Sequence, residues 1–216
     1  MNTFVVDVSQ EAGVRGDRST IGGWPVLEAG QAVPVCECGL TMALFFQVAV
    51  PHAVPVFGGD QLLVFQCPDE SDCSDAERQL PTGYWDQRPK GQGFWRILLQ
   101  RNGSAVDEVD PYLQVRRLVL SEVIDASEYN EGLPLQDFKV GGAPFWFQGP
   151  EWYRCACGTD MVFLCHVPEN FDFYQFLNAD VDMVAFDDGL LVGNAVYILA
   201  CPQRCHPAAA FPVCQN

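Results

Sequence analysis

Basic residues are scarce in this chain of 216 residues, where 12 Lys and Arg stand against 28 Asp and Glu and leave a formal net charge of −16. Proteins bind nucleic-acid backbones by replacing counterions with Lys and Arg, so this composition argues against a nucleic-acid partner. An acidic surface instead attracts a basic protein and speeds the encounter with it. The sequence therefore predicts a basic protein client, with the alternative that the acidic excess serves only solubility.

Long apolar runs are also missing. No window approaches the ~18 uninterrupted apolar residues of a membrane-spanning helix. The first residues, MNTFVVDVSQEAGVRGDR, lack the basic flank and apolar stretch of a signal peptide. We therefore expect a cytoplasmic protein that does not associate with membranes, whereas the oligomeric state is not predicted.

Familiar catalytic motifs are missing as well. The sequence has no G-x-S-x-G, no H-E-x-x-H and no glycine-rich phosphate loop. Cys165 and His166 are adjacent but cannot form a catalytic dyad, because neighbours on a strand point to opposite faces. We expect no catalytic residues and no enzyme activity.

What the sequence does contain is a repeat. The 27 residues Gly22–Val48 align without a gap on Gly141–Val167, and nine positions are identical. The identities include a Gly-Gly-x-Pro turn and a Cys-x-Cys-Gly element in each copy. The segment Gly59–Pro68 aligns in turn with Gly193–Pro202. A repeat of this kind is the first feature to establish, because missing it leads to the wrong fold.

The duplicated unit predicts a mainly β protein with few short helices, in which two β-rich units pack as one compact pseudo-symmetric molecule. We assign an N-terminal repeat to residues 1–100, a connector to 101–136 and a C-terminal repeat to 137–216. Apolar runs rich in β-branched and aromatic residues predict strands. These are Phe4–Val8, Leu40–Val50, Leu62–Gln66, Gly93–Gln100, Val115–Leu120, Phe145–Gln148, Met161–Val167 and Leu190–Ala200. A helical turn is expected at Ser121–Tyr129 and an irregular Pro-rich tail at Cys201–Asn216.

Six of the ten cysteines align between the two repeats, and a further cysteine, Cys73 or Cys205, follows the second aligned site of each repeat at a different spacing. Tetrahedral zinc favours four thiolates, usually two close pairs from separate turns. The predicted ligands are Cys36, Cys38, Cys67 and Cys73 in the first repeat and Cys155, Cys157, Cys201 and Cys205 in the second. His206 and Cys214 are possible substitutes for a ligand. We therefore expect one or two structural zinc ions, with free packed thiols and disulfides as alternative interpretations.

Aromatic residues in polar loops are candidates for partner binding. Trp152 lies between Glu151 and Tyr153 and is the best candidate for an exposed contact. A second candidate is the loop with Phe171, Phe173 and Tyr174, where aromatics alternate with acids and amides.

The order of the motifs resembles that of a known superfamily, which joins bacterial YwqG-like proteins to eukaryotic programmed cell death protein 2 and its relatives in ribosome biogenesis. The resemblance rests on short segments in both repeats, namely Gly22-Gly-x-Pro, Cys36-x-Cys-Gly, Leu44–Val48, Leu62–Cys67, Phe94-Trp-Arg-Ile-Leu and Lys139–Gln148. It implies a duplicated β-rich fold. It also implies a chaperone or binding role, since the eukaryotic relatives escort a basic ribosomal protein.

Three functional hypotheses follow. The first is a non-enzymatic, zinc-stabilised binding module for a basic protein such as a ribosomal protein. The second is an immunity protein that neutralises a cognate toxin. The third is a metal- or thiol-dependent enzyme, which would need an open metal position beside a general base.

Overall fold

The structure is a computed structural model that describes residues 2–36, 38–68, 94–106, 110–124, 136–169, 171–176, 190–191 and 193–216. Two predictions lie partly or wholly outside these ranges. Cys73, the fourth predicted ligand of the first repeat, is one of them. The other is most of the helical turn predicted at Ser121–Tyr129, of which only residues 121–124 are described.

The described residues form twelve strands and one short 3-10 turn at Tyr174–Phe176, which confirms the mainly β fold. The strands are β1 (Asn2–Ala12), β2 (Thr20–Ile21), β3 (Val26–Leu27), β4 (Ala43–Ala49), β5 (Gln61–Gln66), β6 (Trp95–Gln100), β7 (Ser104–Ala105), β8 (Arg116–Ile124), β9 (Lys139–Gly141), β10 (Val162–Val167), β11 (Ala195–Ala200) and β12 (Ala210–Gln215).

Ten strands form one antiparallel sheet in the order β12-β11-β10-β9-β1-β8-β2-β4-β5-β6, and β3 pairs separately with β7. The two end strands approach each other, so the sheet is nearly closed. The Leu99 N–H donates to the Pro207 carbonyl at 2.7 Å. The Trp95 ring meets Phe211 edge-on, with centroids 5.6 Å apart. We call this junction of β6 with residues 207–215 the seam.

The duplication in the sequence is also visible in the order of the strands in the sheet. On one side lie β2, β4, β5 and β6 of the first repeat, and on the other lie β9, β10, β11 and β12 of the second. The two strands in the middle each lie beside the other half of the sheet. Strand β1, from the first repeat, borders β9 of the second repeat, whereas β8, which precedes the second repeat in the chain, borders β2 of the first. The predicted connector 101–136 therefore supplies β8, one of the two central strands.

Even the irregularities of the sheet are duplicated. The register of β4 against β5 shifts between Leu44 and Phe46. The register of β10 against β11 shifts between Phe163 and Cys165, the corresponding positions of the second repeat. A β-bulge bends its strand and increases the local twist, so both halves of the sheet curve at the same place.

Strands β5 and β11 are buried on both faces. Leu62 and Val64 face a main core inside the sheet, and Val196 and Ile198 are their counterparts in β11. The alternate residues face two small outer cores, which the cysteine-bearing segments cover. The first outer core includes Cys36, Met42, Leu63, Phe65 and Cys67, and the second includes Cys155, Met161, Tyr197, Leu199 and Cys201. Alternation of side chains along a strand assigns successive residues to different cores.

Three predicted elements are corrected. The stretch Phe145–Gln148 is not a strand: side chains bind its backbone, with the Tyr197 hydroxyl donating to the Phe145 carbonyl and the Gln148 N–H donating to the Gln215 side chain at 3.0 Å. Residues 121–124 extend β8 rather than form a helical turn. The tail contains β12, whose Pro212 is tolerated because the strand is hydrogen-bonded along one side at the end of the sheet order.

Candidate metal centres

Each repeat presents its first cysteine pair on a tight hairpin. In the first cysteine hairpin (residues 34–42), the Cys36 N–H donates to the Leu40 carbonyl at 2.8 Å, and the Met42 N–H donates to the Pro34 carbonyl at 2.9 Å. In the second cysteine hairpin (residues 153–161), the corresponding Cys155 to Thr159 bond is also 2.8 Å. The repeats therefore share the local fold of Cys-x-Cys-Gly as well as its sequence.

The glycine of this motif is required by the turn. Gly39 has φ +90° and Gly158 has φ +89°, a region that glycine alone adopts readily. Both amides donate back to the carbonyl of the first cysteine, at 2.9 Å from Gly39 to Cys36 and 2.8 Å from Gly158 to Cys155. This bond closes a turn that begins at the first cysteine of the pair and contains the second.

The second pair of each repeat arrives from the strand beside the hairpin. In the second repeat β11 ends at Ala200, so Cys201 follows the strand directly, and its thiol lies close to those of the second cysteine hairpin. The Cys201 N–H donates to the Ala209 carbonyl at 2.8 Å, and the Arg204 N–H donates to the Cys201 carbonyl at 3.0 Å. This turn brings Cys205 back toward Cys201, which explains how a pair with three intervening residues serves one centre.

The second candidate metal centre contains all four thiols that the sequence predicts. The Sγ atoms of Cys155, Cys157, Cys201 and Cys205 lie within 4.8 Å of one another. The closest pairs are Cys155 with Cys205 at 3.4 Å and Cys157 with Cys201 at 3.6 Å. Zinc–sulfur bonds of about 2.3 Å place tetrahedral sulfurs about 3.8 Å apart, whereas disulfide sulfurs are about 2.05 Å apart. All four cysteines are free, and their spacing fits a divalent metal ion.

The thiols of this centre differ in acidity. Hydrogen bonds from Thr159 to Cys157 lower the pKa of that exposed thiol to about 6. Burial raises the pKa of Cys155 and that of Cys205 above their ordinary range. Cys157 therefore releases its proton more readily than Cys155 and Cys205, which must lose theirs when a metal ion binds.

The first candidate metal centre contains three described thiols. The Sγ atoms of Cys36, Cys38 and Cys67 lie within 4.8 Å of one another, and Cys38 is 3.5 Å from Cys67. Cys36 and Cys67 are buried, whereas Cys38 is exposed. The predicted fourth ligand, Cys73, lies outside the described residues, so the four-thiol prediction for this repeat stays a prediction.

The substitutes named from the sequence are not part of either centre. Neither His206 nor Cys214 belongs to a potential ligand group among the described residues. The Nδ1 atom of His206 instead accepts a hydrogen bond from the Ala208 N–H at 3.1 Å. Cys165 is fully buried in the main core, where burial raises its thiol pKa, and it packs as an apolar residue.

A buried polar group lies beneath the second outer core. His166 is stacked on Tyr197, and its Nδ1 lies 3.1 Å from the Asp137 carbonyl oxygen. Lys139, opposite His166 in the sheet, is fully buried and donates to the Ala143 carbonyl at 2.7 Å. Burial, aided by the Lys139 charge, lowers the His166 pKa to about 4.

The first repeat shows what this polar group does. Gln47 corresponds to His166, and its side-chain amide donates to the Trp24 carbonyl at 3.0 Å. Ala143 corresponds to Trp24, so buried polar side chains satisfy the same loop carbonyl in both repeats. His166 is therefore neutral and structural, as its alignment with Gln47 predicts. The buried Lys139 was missed from the sequence, and only its alignment with the buried Thr20 could have indicated it.

The candidate partner-binding aromatics divide into two kinds. Trp152 is exposed by 85%, the highest value among the large hydrophobic residues described. Phe173, by contrast, is only 2% exposed, and its ring packs against Phe45 with centroids 5.2 Å apart. Phe171 is partly buried against Phe138. The expectation of an exposed aromatic loop is thus wrong for Phe173, and the side chain of Tyr174 lies outside the described structure.

Comparison with known proteins adds no relative. No family model matches the chain, and no curated protein matches it. Among the described residues, no helix is long and apolar enough to cross a bilayer. The two candidate metal centres and the charge of the molecule are the features that bear on its function.

Proposed function

We propose that this chain is a non-enzymatic binding protein for a basic protein client and that zinc ions held by its cysteine centres stabilise the fold. The observation that carries the proposal is the second centre, whose four thiol sulfurs lie within 4.8 Å of one another. Four thiolates fill a tetrahedral zinc site, and such closed sites are structural rather than catalytic.

The position of the centres supports a structural role. Each centre joins a cysteine hairpin to the end of β5 or β11, and each hairpin covers an outer core. Metal binding at such a place contributes directly to folding free energy, because the unfolded chain has no preformed site. Soft thiolate ligands favour zinc over calcium or magnesium.

The net charge of the chain supports a basic protein as the client. The net charge of −16 favours association with a basic protein. The motif resemblance implies a ribosomal protein as that client, and a cytoplasmic setting would keep the thiols reduced. The exposed Trp152 lies beside the second cysteine hairpin, where it is available to a partner.

Metal analysis tests the zinc part of the proposal. Protein purified without chelator or oxidant is measured by native mass spectrometry. We expect up to two zinc ions per chain, with the second centre filled first, because all four of its ligands come together in the described structure. A chain that binds no zinc at either centre would overturn this part.

Binding at two salt concentrations tests the client part. The zinc-loaded chain is titrated with a purified basic small-subunit ribosomal protein. We expect an affinity that falls at least about ten-fold between low and high salt, because the Debye length shortens to about 3 Å at 1 M. An affinity that does not depend on salt would contradict an electrostatic client site, and neutralisation of a neighbouring toxin would favour an immunity protein instead.

A further inference from the structure

A cavity opens between the first cysteine hairpin and residues 110–112. Its volume is about 130 Å³. Apolar and aromatic residues form most of its wall, among them Pro25, Met42, Leu44, Phe65 and Tyr112. The one charged residue among the described residues that line it is Asp110, which is exposed.

We propose that this cavity binds a single Arg or Lys side chain of the client. Long basic side chains bury their aliphatic stems against apolar surface and keep the charged end near water or a counter-charge. Here Met42 and Leu44 offer the apolar wall, and the Asp110 carboxylate offers a charge-assisted hydrogen bond. The Tyr112 ring adds an aromatic surface that attracts cations. The inference rests on the proposed basic client and names where that client is recognised.

Other ligand classes fit this cavity poorly. An anion would meet the Asp110 carboxylate and a molecule of net charge −16, both repulsive. A purely apolar side chain would cover that carboxylate without giving it a partner, and burying an unpaired charge is unfavourable. A cationic side chain with an aliphatic stem can pack its stem against the apolar wall and pair its charge with the carboxylate.

Two of the residues that line the cavity differ from their counterparts in the second repeat. Val33 and Thr41 line the cavity, whereas their counterparts are Trp152, which projects into solvent, and Asp160, which pairs with Arg154 at 3.2 Å. The fold of the cysteine hairpin is the same in both repeats, so it does not itself require these residues. These two lining residues are therefore not fixed by the duplicated framework.

The cavity is also coupled to the first candidate metal centre. Met42, Leu44 and Phe65 pack in the same outer core as Cys36 and Cys67. A metal ion that fixes those thiols would hold the cavity wall in place. Binding of a basic side chain should therefore be stronger in the zinc-loaded protein than after chelation.

The test compares two acidic positions in the full, zinc-loaded chain. Asp110→Asn removes the carboxylate of the cavity, and Asp160→Asn removes an exposed carboxylate at the second hairpin with the same change in net charge. The probe is a short fluorescein-labelled Arg-Gly repeat peptide, with a citrulline-Gly peptide as the uncharged control. Binding is followed by fluorescence anisotropy, and thermal unfolding checks that both variants are folded.

Asp110→Asn is expected to weaken Arg-Gly binding about ten-fold, as the loss of one hydrogen bond to a charged group predicts. Asp160→Asn should change it less than about two-fold, as is usual for an exposed ion pair. Equal weakening by both variants would overturn the cavity while leaving a basic client in place. Equal binding of the citrulline peptide would show that the chain does not recognise a positive charge and would overturn both the cavity and the basic client. No binding of the Arg-Gly peptide to the unmodified chain would overturn the proposed client as well.

Discussion

At the scale of single residues, Cys157 and Cys214 are both exposed thiols of the second repeat and allow a matched comparison. Cys157 belongs to the second centre, whereas Cys214 belongs to neither ligand group found among the described residues. Cys157→Ser should lower the zinc content by about one ion and the melting temperature by more than about 10 °C, because structural zinc contributes folding free energy. Cys214→Ser should change neither quantity.

Native mass spectrometry and thermal unfolding on the two variants check this prediction. Full zinc content with unchanged stability in Cys157→Ser would show that Cys157 is not a ligand. A similar loss in Cys214→Ser would show that the assignment of ligands in this repeat is incorrect.

The hairpin glycine offers a second residue-scale prediction. Nothing lies within 4 Å of a Cβ built on Gly158, so a substitution is disfavoured by the backbone angle of +89° and not by a clash. Gly158→Ala should lower the free energy of unfolding by about 1–2 kcal/mol. Gly158→Asn should lower it less, because Asn tolerates positive φ better than Ala.

Urea unfolding of the zinc-loaded proteins measures both changes. If Ala and Asn at position 158 were equally harmless, the turn would not depend on the glycine backbone. The twin substitution Gly39→Ala, at φ +90°, should repeat the result in the first repeat.

At the scale of secondary-structure elements, the pairing of β9 with β10 makes stability depend on pH. The His166 pKa is lowered from 6.5 to about 4 in the folded protein, by burial and by the neighbouring Lys139 charge. The unfolded chain therefore binds a proton between these pH values while the folded protein does not. The stability that neutral His166 provides is complete above pH 6.5 and is lost as the pH falls toward 4.

We expect His166→Gln, which copies the Gln47 of the first repeat, to flatten this pH dependence. Relative to the variant, the unmodified protein should lose about 2–3 kcal/mol of unfolding free energy between pH 6.5 and about 4. Zinc loss at low pH affects both proteins and cancels in the difference. Urea unfolding across this range provides the measurement, and His52→Gln, at an exposed loop histidine, serves as the control variant.

Strand positions could be predicted where burial of the strand itself produces an apolar run in the sequence. Apolar runs predicted β4, β5, β10 and β11 to within a few residues, because most residues of these strands are buried. The stretch Phe145–Gln148 has the same composition, yet partners distant in sequence bind its backbone. Phe173 is buried only because Phe45 and Phe46 lie nearby. Such long-range contacts leave no periodic signal.

The four cysteines of the second candidate centre could be predicted together. The duplication points to them even though their spacings are unusual for zinc ligands. What the sequence does not reveal is why those spacings work. Cys155 and Cys157 meet Cys201 and Cys205 because β10 pairs with β11, which brings the hairpin over the strand end. The cavity around Asp110 was not predicted either, since its walls come from segments far apart in the chain.

At the scale of the whole molecule, exchange of the central strands binds the repeats together. Val5 pairs with Ser121 where β1 meets β8, and Phe4 pairs with Val140 where β1 meets β9. Neither repeat, as a continuous stretch of chain, completes its half of the sheet. This arrangement could not be read from an alignment of the repeats, because β1 and β8 precede the aligned segments. It predicts that the two halves unfold together rather than one after the other.

The seam links the second candidate metal centre to the closure of the sheet. Arg204 lies inside the turn between Cys201 and Cys205, and its Nε donates to Asp60 of the first repeat at 2.7 Å. The Asp60 side chain is fully buried and also accepts from Arg101 at 3.0 Å. A few residues beyond Cys205, the Pro207 carbonyl receives the Leu99 N–H. A metal ion that orders this turn should therefore hold the seam closed.

Hydrogen exchange followed by mass spectrometry tests this coupling. Removal of zinc with a chelator should speed exchange of the Leu99 amide by about ten-fold or more, because local opening separates β6 from the tail. The amides that pair β1 with β8 should keep their protection against exchange. These two strands lie in the middle of the sheet order, away from the second candidate metal centre. Arg204→Met should speed Leu99 exchange even with zinc bound, whereas Arg101→Met, which leaves Arg204 on Asp60, should have a smaller effect. If chelation left Leu99 exchange unchanged, the second centre would stabilise only its own hairpin, and closure of the sheet would depend on the Trp95–Phe211 contact instead.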